Sequence, residues 1–273
     1  MSLRLNCAFT LLAAAPAWAA TVYTVGMTAT SIHQGTHLIS IDTNSGTGSV
    51  VGPLGAGYDD ATAVTFDPSG LLHTVLHVNG GGYQIAAINL ATGAATLSGV
   101  SVFPTMTMTF APDGTLYRAD ISGGFFRTDL TTGASTLIGD LGFAEVMDLA
   151  FDSHGALYGV ASSPAGTGTS DVYAINPANA HSTLVASLAT PCIMSLAFDA
   201  ADHLYGADFC TTNSRLYQID LVGQSANPIG LTGISHVHGG DTLPIPAAVP
   251  EPASWLTLAG GVGLVCALRR ARR

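Results

Sequence analysis

The chain has no lysine and only eight arginines in 273 residues. Five of these stand near the termini, at Arg4, Arg269, Arg270, Arg272 and Arg273. From residue 20 to residue 248 the basic side chains are Arg118, Arg127 and Arg215, against seventeen Asp and Glu, a formal −14. A body so poor in positive charge repels a phosphate backbone, which excludes nucleic acid as a partner class. An anionic membrane surface is an equally poor partner. Neutral glycans and divalent cations fit better, as does a secreted surface kept soluble by like charge. Several chemical signatures are also missing. There is no Gly-rich phosphate loop ahead of a helix, no Gly-x-Ser-x-Gly elbow and no Cys-x-x-Cys. The run Asn79-Gly80-Gly81-Gly82 reads as a loop tip. No long amphipathic helical pattern occurs between residues 21 and 245. With 10% charged residues and 32 glycines, the composition points to short strands and tight turns.

The two ends carry what the body lacks. At the N-terminus Arg4 supplies a positive start, Cys7 to Pro16 an apolar core, and Ala17-Trp18-Ala19 a small-x-small cleavage site. Residues 1–19 therefore read as a signal peptide, cut after Ala19 or Ala20. The core is too short to span a bilayer. At the C-terminus Val249-Pro250-Glu251-Pro252 precedes an apolar run, Ala253–Leu268, and then Arg269, Arg270, Arg272 and Arg273. As a helix the run reaches roughly 24 Å at about 1.5 Å per residue, slightly short of a hydrocarbon core of roughly 30 Å. The arginines that follow stay cytoplasmic under the positive-inside rule. A transmembrane helix is expected here.

This order of Pro-Glu-Pro, apolar segment and arginine cluster resembles the PEP-CTERM sorting signal. Such tails occur on exported proteins of Gram-negative bacteria that make exopolysaccharide. The resemblance implies recognition by an exosortase and cleavage near Pro250-Glu251-Pro252. It further implies an inner-membrane intermediate, then the cell surface or extracellular matrix. The signal is assigned to residues 246–273, leaving 20–245 as the body.

The body repeats itself. Phe66-Asp67-Pro68-Ser69-Gly70-Leu71-Leu72 recurs from Phe110, Phe151 and Phe198, at spacings of 44, 41 and 47 residues. A second phrase, Ile88-Asn89-Leu90-Ala91-Thr92-Gly93, recurs from Ile41, Thr128, Ile175 and Ile219. Each phrase is a strand ending in a turn built by Asp, Asn and Gly. Four short strands every 40–47 residues is the rhythm of a β-propeller blade. The Phe-Asp-x-x-Gly-x-Leu-Tyr phrase is also similar to that of repeat propellers among exported bacterial proteins.

The expected fold is therefore all-β, a propeller of five four-stranded blades. The second phrase occurs five times and the first four times, so one blade is split. Thr21–Val25 matches a second strand, and Ile234–Gly239 fits as the innermost strand of the same blade. The first strand of each unit has a large face, such as Met194, Leu196 and Phe198, and a small one, such as Ser195 and Ala197, with period two. A large face against a neighbour's small face fills a blade seam without voids. On that reading the Met and Phe side chains are core.

Few residues point to chemistry. If Phe198 faces Leu204, the same register opposes Cys192 and Cys210. Opposed antiparallel residues bring Cβ atoms to about 4.5–5.5 Å, so a structural disulfide is predicted. His236 and His238 would share the small face with Asp148 near the central channel, a ligand set suited to zinc or another divalent cation. Glu145, with Asp59, Asp60, Asp120 and Asp208, would lie near one rim. No cofactor is required beyond such a cation, and no catalytic residue is assigned. The expected function is a non-enzymatic, surface-sorted binding or structural module. Its expected partners are the sorting exosortase, the membrane before processing, and exopolysaccharide or envelope proteins. The alternative is a secreted metal-dependent propeller enzyme of lactonase or lyase type.

Overall fold

A computed structural model describes residues 20–27, 36–162 and 168–243. The expected signal peptide, the Pro-Glu-Pro motif at 250–252, the expected transmembrane helix and the arginine cluster lie outside the described residues.

The described chain is all β, in five four-stranded antiparallel sheets. Blade one contains β1 (Thr21–Met27), β2 (Thr36–Asp42) and β3 (Gly48–Pro53). Blade two follows as β4 (Tyr58–Phe66), β5 (Leu72–Val78), β6 (Gly82–Ile88) and β7 (Ala95–Val102). Blade three is β8 (Thr107–Phe110), β9 (Leu116–Ala119), β10 (Gly124–Thr128) and β11 (Ser135–Asp140). Blade four is β12 (Val146–Phe151), β13 (Leu157–Ser162), β14 (Ser170–Ile175) and β15 (Ser182–Leu188). Blade five is β16 (Ala197–Phe198), β17 (Leu204–Ala207), β18 (Arg215–Asp220) and β19 (Ser225–Leu231). The last strand, β20 (Ser235–Thr242), returns to blade one and pairs with β1, so that the sheet order is β20-β1-β2-β3. The inner strands touch in a ring, β20 to β4, β8, β12, β16 and back to β20. The blade is split between the two ends of the chain, as the repeat count requires.

The turns form because their Asp and Asn side chains accept from the backbone just ahead. Asp67 Oδ1 takes Ser69 N and Leu71 N at 2.9 and 3.0 Å. Asp152 and Asp199 do the same after Phe151 and Phe198. Asn89 and Asp129 cap the outer turns.

Five apolar clusters fill the five seams. Val64 and Phe66 of blade two pack on Val25 and Leu38 of blade one. Met108 and Phe110 of blade three pack on Ala63 and Val75. Leu149 of blade four meets Ala119 and Phe125, and Leu196 and Phe198 of blade five meet Ala150 and Val160. The ring closes where Ile39 and Ile234 meet Ala197 and Ala207. Large faces on small faces are what the period-two pattern encodes. At the rim the seams are held by backbone contact. A Cβ on Gly230 would lie 2.0 Å from Ser45 O, and one on Gly52 would lie 2.1 Å from Thr92 O.

Cys192 and Cys210 form a disulfide, with Cα atoms 5.9 Å apart. Phe198 pairs with Leu204 and Ala197 with Tyr205, but further on Ile193 bridges Asp208, one residue out of that register. The shift coincides with the positive φ of 67° at Cys192. The cysteines are therefore neighbours across a slipped ladder rather than directly opposed residues. The bridge spans 18 residues, and closing such a loop contributes about 3 kcal/mol on the chain-entropy model.

The closing seam gives a direct test. Gly230→Ala forces its methyl into Ser45 and is expected to cost about 1–3 kcal/mol by overpacking. Gly81→Ala, whose methyl meets nothing closer than 3.6 Å, is expected to stay within about 0.5 kcal/mol of wild type. Urea denaturation of the full-length chain measures both.

Candidate functional site

At the end of the ring where the inner strands begin, the axis opens into a cavity of about 250 Å³. Every blade contributes to it. Blade one gives Met27, His236 and His238, and blade two gives Asp60, Thr62 and Tyr83. Blade three gives Met106 and Ile121, blade four Met147, and blade five Met194 and Phe209. The floor is buried: Met147 is 1%, Met194 2% and His238 7% exposed. Ile121, at 41%, marks the mouth.

Three of these methionines hold one place in the repeat. Met106, Met147 and Met194 each stand four residues before Phe110, Phe151 and Phe198. Thr62 holds that place before Phe66. Thr242 pairs with Val22 as Phe198 pairs with Leu204, and His238 stands four residues before Thr242. The sequence pattern put these methionines on the seam face with Met108 and Leu149. The structure keeps Met147 and Met194 in the apolar core of the seam between blades four and five, with Met106 and Phe209 packed against it, and all four also line the axial cavity. At Met147 the ladder is irregular, since β12 slips register between Val146 and Asp148, as β4 does around Thr62, between Ala61 and Val64. A bulge rotates the residues before it relative to those after it. The fixed place before each Phe was the readable signal.

His238 is held by its ring. Nδ1 lies against the carbonyl of Thr62, and a carbonyl accepts only from N–H. Nδ1 therefore carries the proton, and Nε2 is a bare lone pair, buried and without a partner. Burial pushes this imidazole down to about 4, against the pull of the Thr62 carbonyl. His236 sits in a left-handed backbone at φ 52°. Its ring meets Phe209 edge-on at 5.0 Å, and its Nδ1 is also buried without a partner. Phe209 meets His238 at 5.8 Å as well.

Asp148 is not in the cavity lining. It is fully buried among blades three, four and five, accepting from Thr107 Oγ1 at 2.7 Å, Leu149 N at 3.0 Å and Leu196 N at 2.7 Å. Burial raises its carboxyl well above the usual range despite these donors. The structure thus spends Asp148 on holding blades and leaves it none of the role of a third ligand beside the two histidines. Glu145 is exposed, in a left-handed backbone at φ 58°. Asp59 pairs with His77. Asp208 accepts from Thr211 Oγ1 and Tyr217 Oη, and burial pushes the Tyr217 phenol up to about 12. Asp120 caps its own turn through Ser122 N and Gly124 N. Among the described residues, no three of His, Cys, Asp and Glu come together as an ion-holding group.

Asp241, which the sequence pattern did not single out, does for blades one and two what Asp148 does opposite. It accepts from Phe66 N at 2.8 Å, Thr65 Oγ1 at 3.1 Å and Thr242 N at 2.8 Å. Burial pushes its carboxyl from 3.8 up to about 6. A carboxyl raised by folding favours the folded state most below its unfolded value, and that contribution is lost as pH rises through about 6. His238 acts in the opposite sense. Lowered from 6.5 to about 4, it supports folding above its unfolded value, and the support is lost as pH falls through about 4. Asp241→Asn removes the first term and leaves the second. The stability of Asp241→Asn relative to wild type is expected to improve steadily between about pH 4 and pH 6 and to be level above pH 7. Urea midpoints of both chains across that range measure it.

Residues 14–191 match the family described as a repeat of unknown function (DUF6923), and residues 248–273 match the PEP-CTERM protein-sorting motif. No curated protein matches the chain. Among solved structures, a chain in the crystal structure of a nidogen/laminin complex superposes with a TM-score of 0.54 at 11% identity, over 83% of this chain and 100% of that one. A protein of unknown function from Bacteroides thetaiotaomicron gives 0.51 at 16% identity, over 83% of this chain and 65% of that one. At such identities the likeness is one of fold. The chain belongs to the DUF6923 repeat family, as a five-bladed propeller exported and sorted through a C-terminal PEP-CTERM motif.

Proposed function

We propose that this protein is a non-catalytic binding module of the cell envelope or exopolysaccharide matrix, and that the axial cavity is its binding site. The observation that supports this reading is the orientation of the cavity. It lies at the end of β1 marked by Val25–Met27 and the end of β20 marked by His236 and His238. Thr21 and Val22 lie at the other end of β1, where Val22 pairs with Thr242. Leu243 rests beside Gly70, in a turn of that opposite face. The chain therefore enters and leaves the ring on one face and presents its cavity on the other. A domain tethered by its C-terminus then offers the cavity outward.

The proposed route is removal of residues 1–19, then retention of body 20–245 at the inner membrane by Ala253–Leu268, with the arginine cluster on the cytoplasmic side. Cleavage near Pro250-Glu251-Pro252 follows. In the native host, Pro250→Ala with Pro252→Ala is expected to leave the chain in the membrane fraction and off the surface. Surface labelling of intact cells measures this, and normal display of the double variant would refute the assignment of the motif.

For the cavity, Ile121→Asp places a charge at the exposed mouth. Co-sedimentation of the full-length chain with extracellular polysaccharide and with envelope fractions is expected to fall about tenfold in affinity, or about 1.4 kcal/mol. The urea midpoint should not move. Unchanged co-sedimentation of the folded variant would exclude the cavity as the binding site.

A further inference from the structure

We propose that the cavity floor holds one soft monovalent cation of the copper(I) class, bound by His238 Nε2 and the thioether sulfurs of Met106, Met147 and Met194. The inference rests on the cavity's own chemistry and not on the matrix role.

Three observations carry it. First, the chain has only six methionines, and four of them, the three above and Met27, line this one cavity. Methionines used simply as filler would be spread over five similar seams, as Met108 is at the seam of blades two and three. Second, Met106, Met147 and Met194 occupy one place in three consecutive blades and line the same cavity, with Met147 and Met194 in one apolar cluster and Met106 packed against it. Pseudo-symmetry of the ring therefore sets them at one level around that cavity. Third, a nitrogen lone pair is available there. His238 is 7% exposed, its Nδ1 is engaged by the Thr62 carbonyl, and its Nε2 is buried with no protein partner. A buried polar atom left without a partner costs about 1–3 kcal/mol, so this arrangement calls for something to be bound at Nε2.

The donor set selects the ion. Thioether and neutral imidazole are soft or borderline donors, and thioethers favour Cu(I) over Zn²⁺, Ca²⁺ or Mg²⁺. Hard divalent cations seek carboxylate and carbonyl oxygens. The lining offers one carboxylate, Asp60, which is already engaged. The fixed Nδ1–H of His238 toward a backbone carbonyl is also the usual outer contact of a metal-binding histidine, since it sets the tautomer and aims the ring.

The test uses the untagged full-length chain in detergent, with Cys7→Ser and Cys266→Ser so that no free thiol competes. Silver(I) serves as a redox-inert probe and Cu(I) as the competing ion under a chromogenic chelator. With methyl-labelled methionine, one equivalent of Ag⁺ is expected to shift the methyl resonances of Met106, Met147 and Met194, while Met108 stays in place. This readout needs no variant that might unfold. In parallel, Met147→Leu with Met194→Leu, a volume-conserving change, is expected to weaken Cu(I) binding about tenfold or more. Zn²⁺ should cause no methionine shift. Overturning results are an absence of methionine shifts at one equivalent, equal shifts at Met108, or Cu(I) affinity unchanged in the folded double variant. A cavity that takes only an apolar ligand would give the first of these.

Discussion

The pairing of β20 with β1 is the constraint on which the rest of this molecule depends. Every other blade is built from consecutive strands, but blade one borrows its inner strand from the far end of the chain. Thr24 Oγ1 lies 2.9 Å from His238 O and 2.5 Å from Gly239 O. Met194 O accepts from Gly239 N, Thr232 O from Gly48 N and Ile234 O from Ser214 N, so the closing strand and its approach are fixed to blades one and five together. Remove β20 and both β4 and β16 lose a neighbour, while the cavity loses its two histidines. The entropy of closing so long a loop grows only logarithmically, at about 0.6 kcal/mol per doubling of length. A single well-paired strand that also removes two open sheet edges is enough to offset that growth.

A ring of sheets leaves a problem at its axis. The inner strands have a hydrogen-bonded partner on their outer side and none on the inner side, so their inward N–H groups face dry protein. Such groups must find acceptors. Asp148 meets Leu196 N of the next blade, and Asp241 meets Phe66 N. The two acids are buried because the strands there need acceptors that no further strand supplies. Their raised carboxyls reflect burial that the donors do not fully offset. At the seams the contact is mainly apolar, with single polar links such as Ser182 Oγ to Leu141 O and Ser153 N to Asp202 Oδ1. The polar chemistry of this fold is thus concentrated at the turns, the axis and the cavity, apart from buried Arg118, which donates to Thr128 and Ser135 within blade three.

This division explains what could be read in the sequence. The Phe-Asp turn and the Asn/Asp-Gly turn are local, and their recurrence is visible in one dimension. So is the missing half-blade, because a count of phrases needs no coordinates. Seam packing was legible for Met108, Phe110 and Leu196, whose alternation is regular. Met147 and Met194 are core as well, but that these two and Met106 also line the axial cavity leaves no mark in the hydrophobic pattern. Asp148 and the histidines were read as sharing a face, and they do lie on inner strands. Whether a carboxylate on that face points to an ion or to a neighbouring N–H depends on the blade-to-blade stagger, which only three dimensions supply. Asp241 was missed for the same reason.

The closing strand also sets the direction in which the protein faces. Because β20 runs antiparallel to β1, its C-terminal end must lie beside the N-terminal end of β1. The first and last described residues, Ala20 and Leu243, are thereby forced onto one face of the ring whatever the details of the blades. The cavity lies where inner strands β4, β8, β12 and β16 begin, and β1 runs antiparallel to β20, so its C-terminal end reaches that same side. Leu243, the last described residue, and the cavity are consequently opposed as a result of ring closure alone. The sorting motif begins at residue 248, shortly after Thr242 ends β20. The strand that completes the fold therefore also sets the cavity on the face opposite the point where the described chain ends.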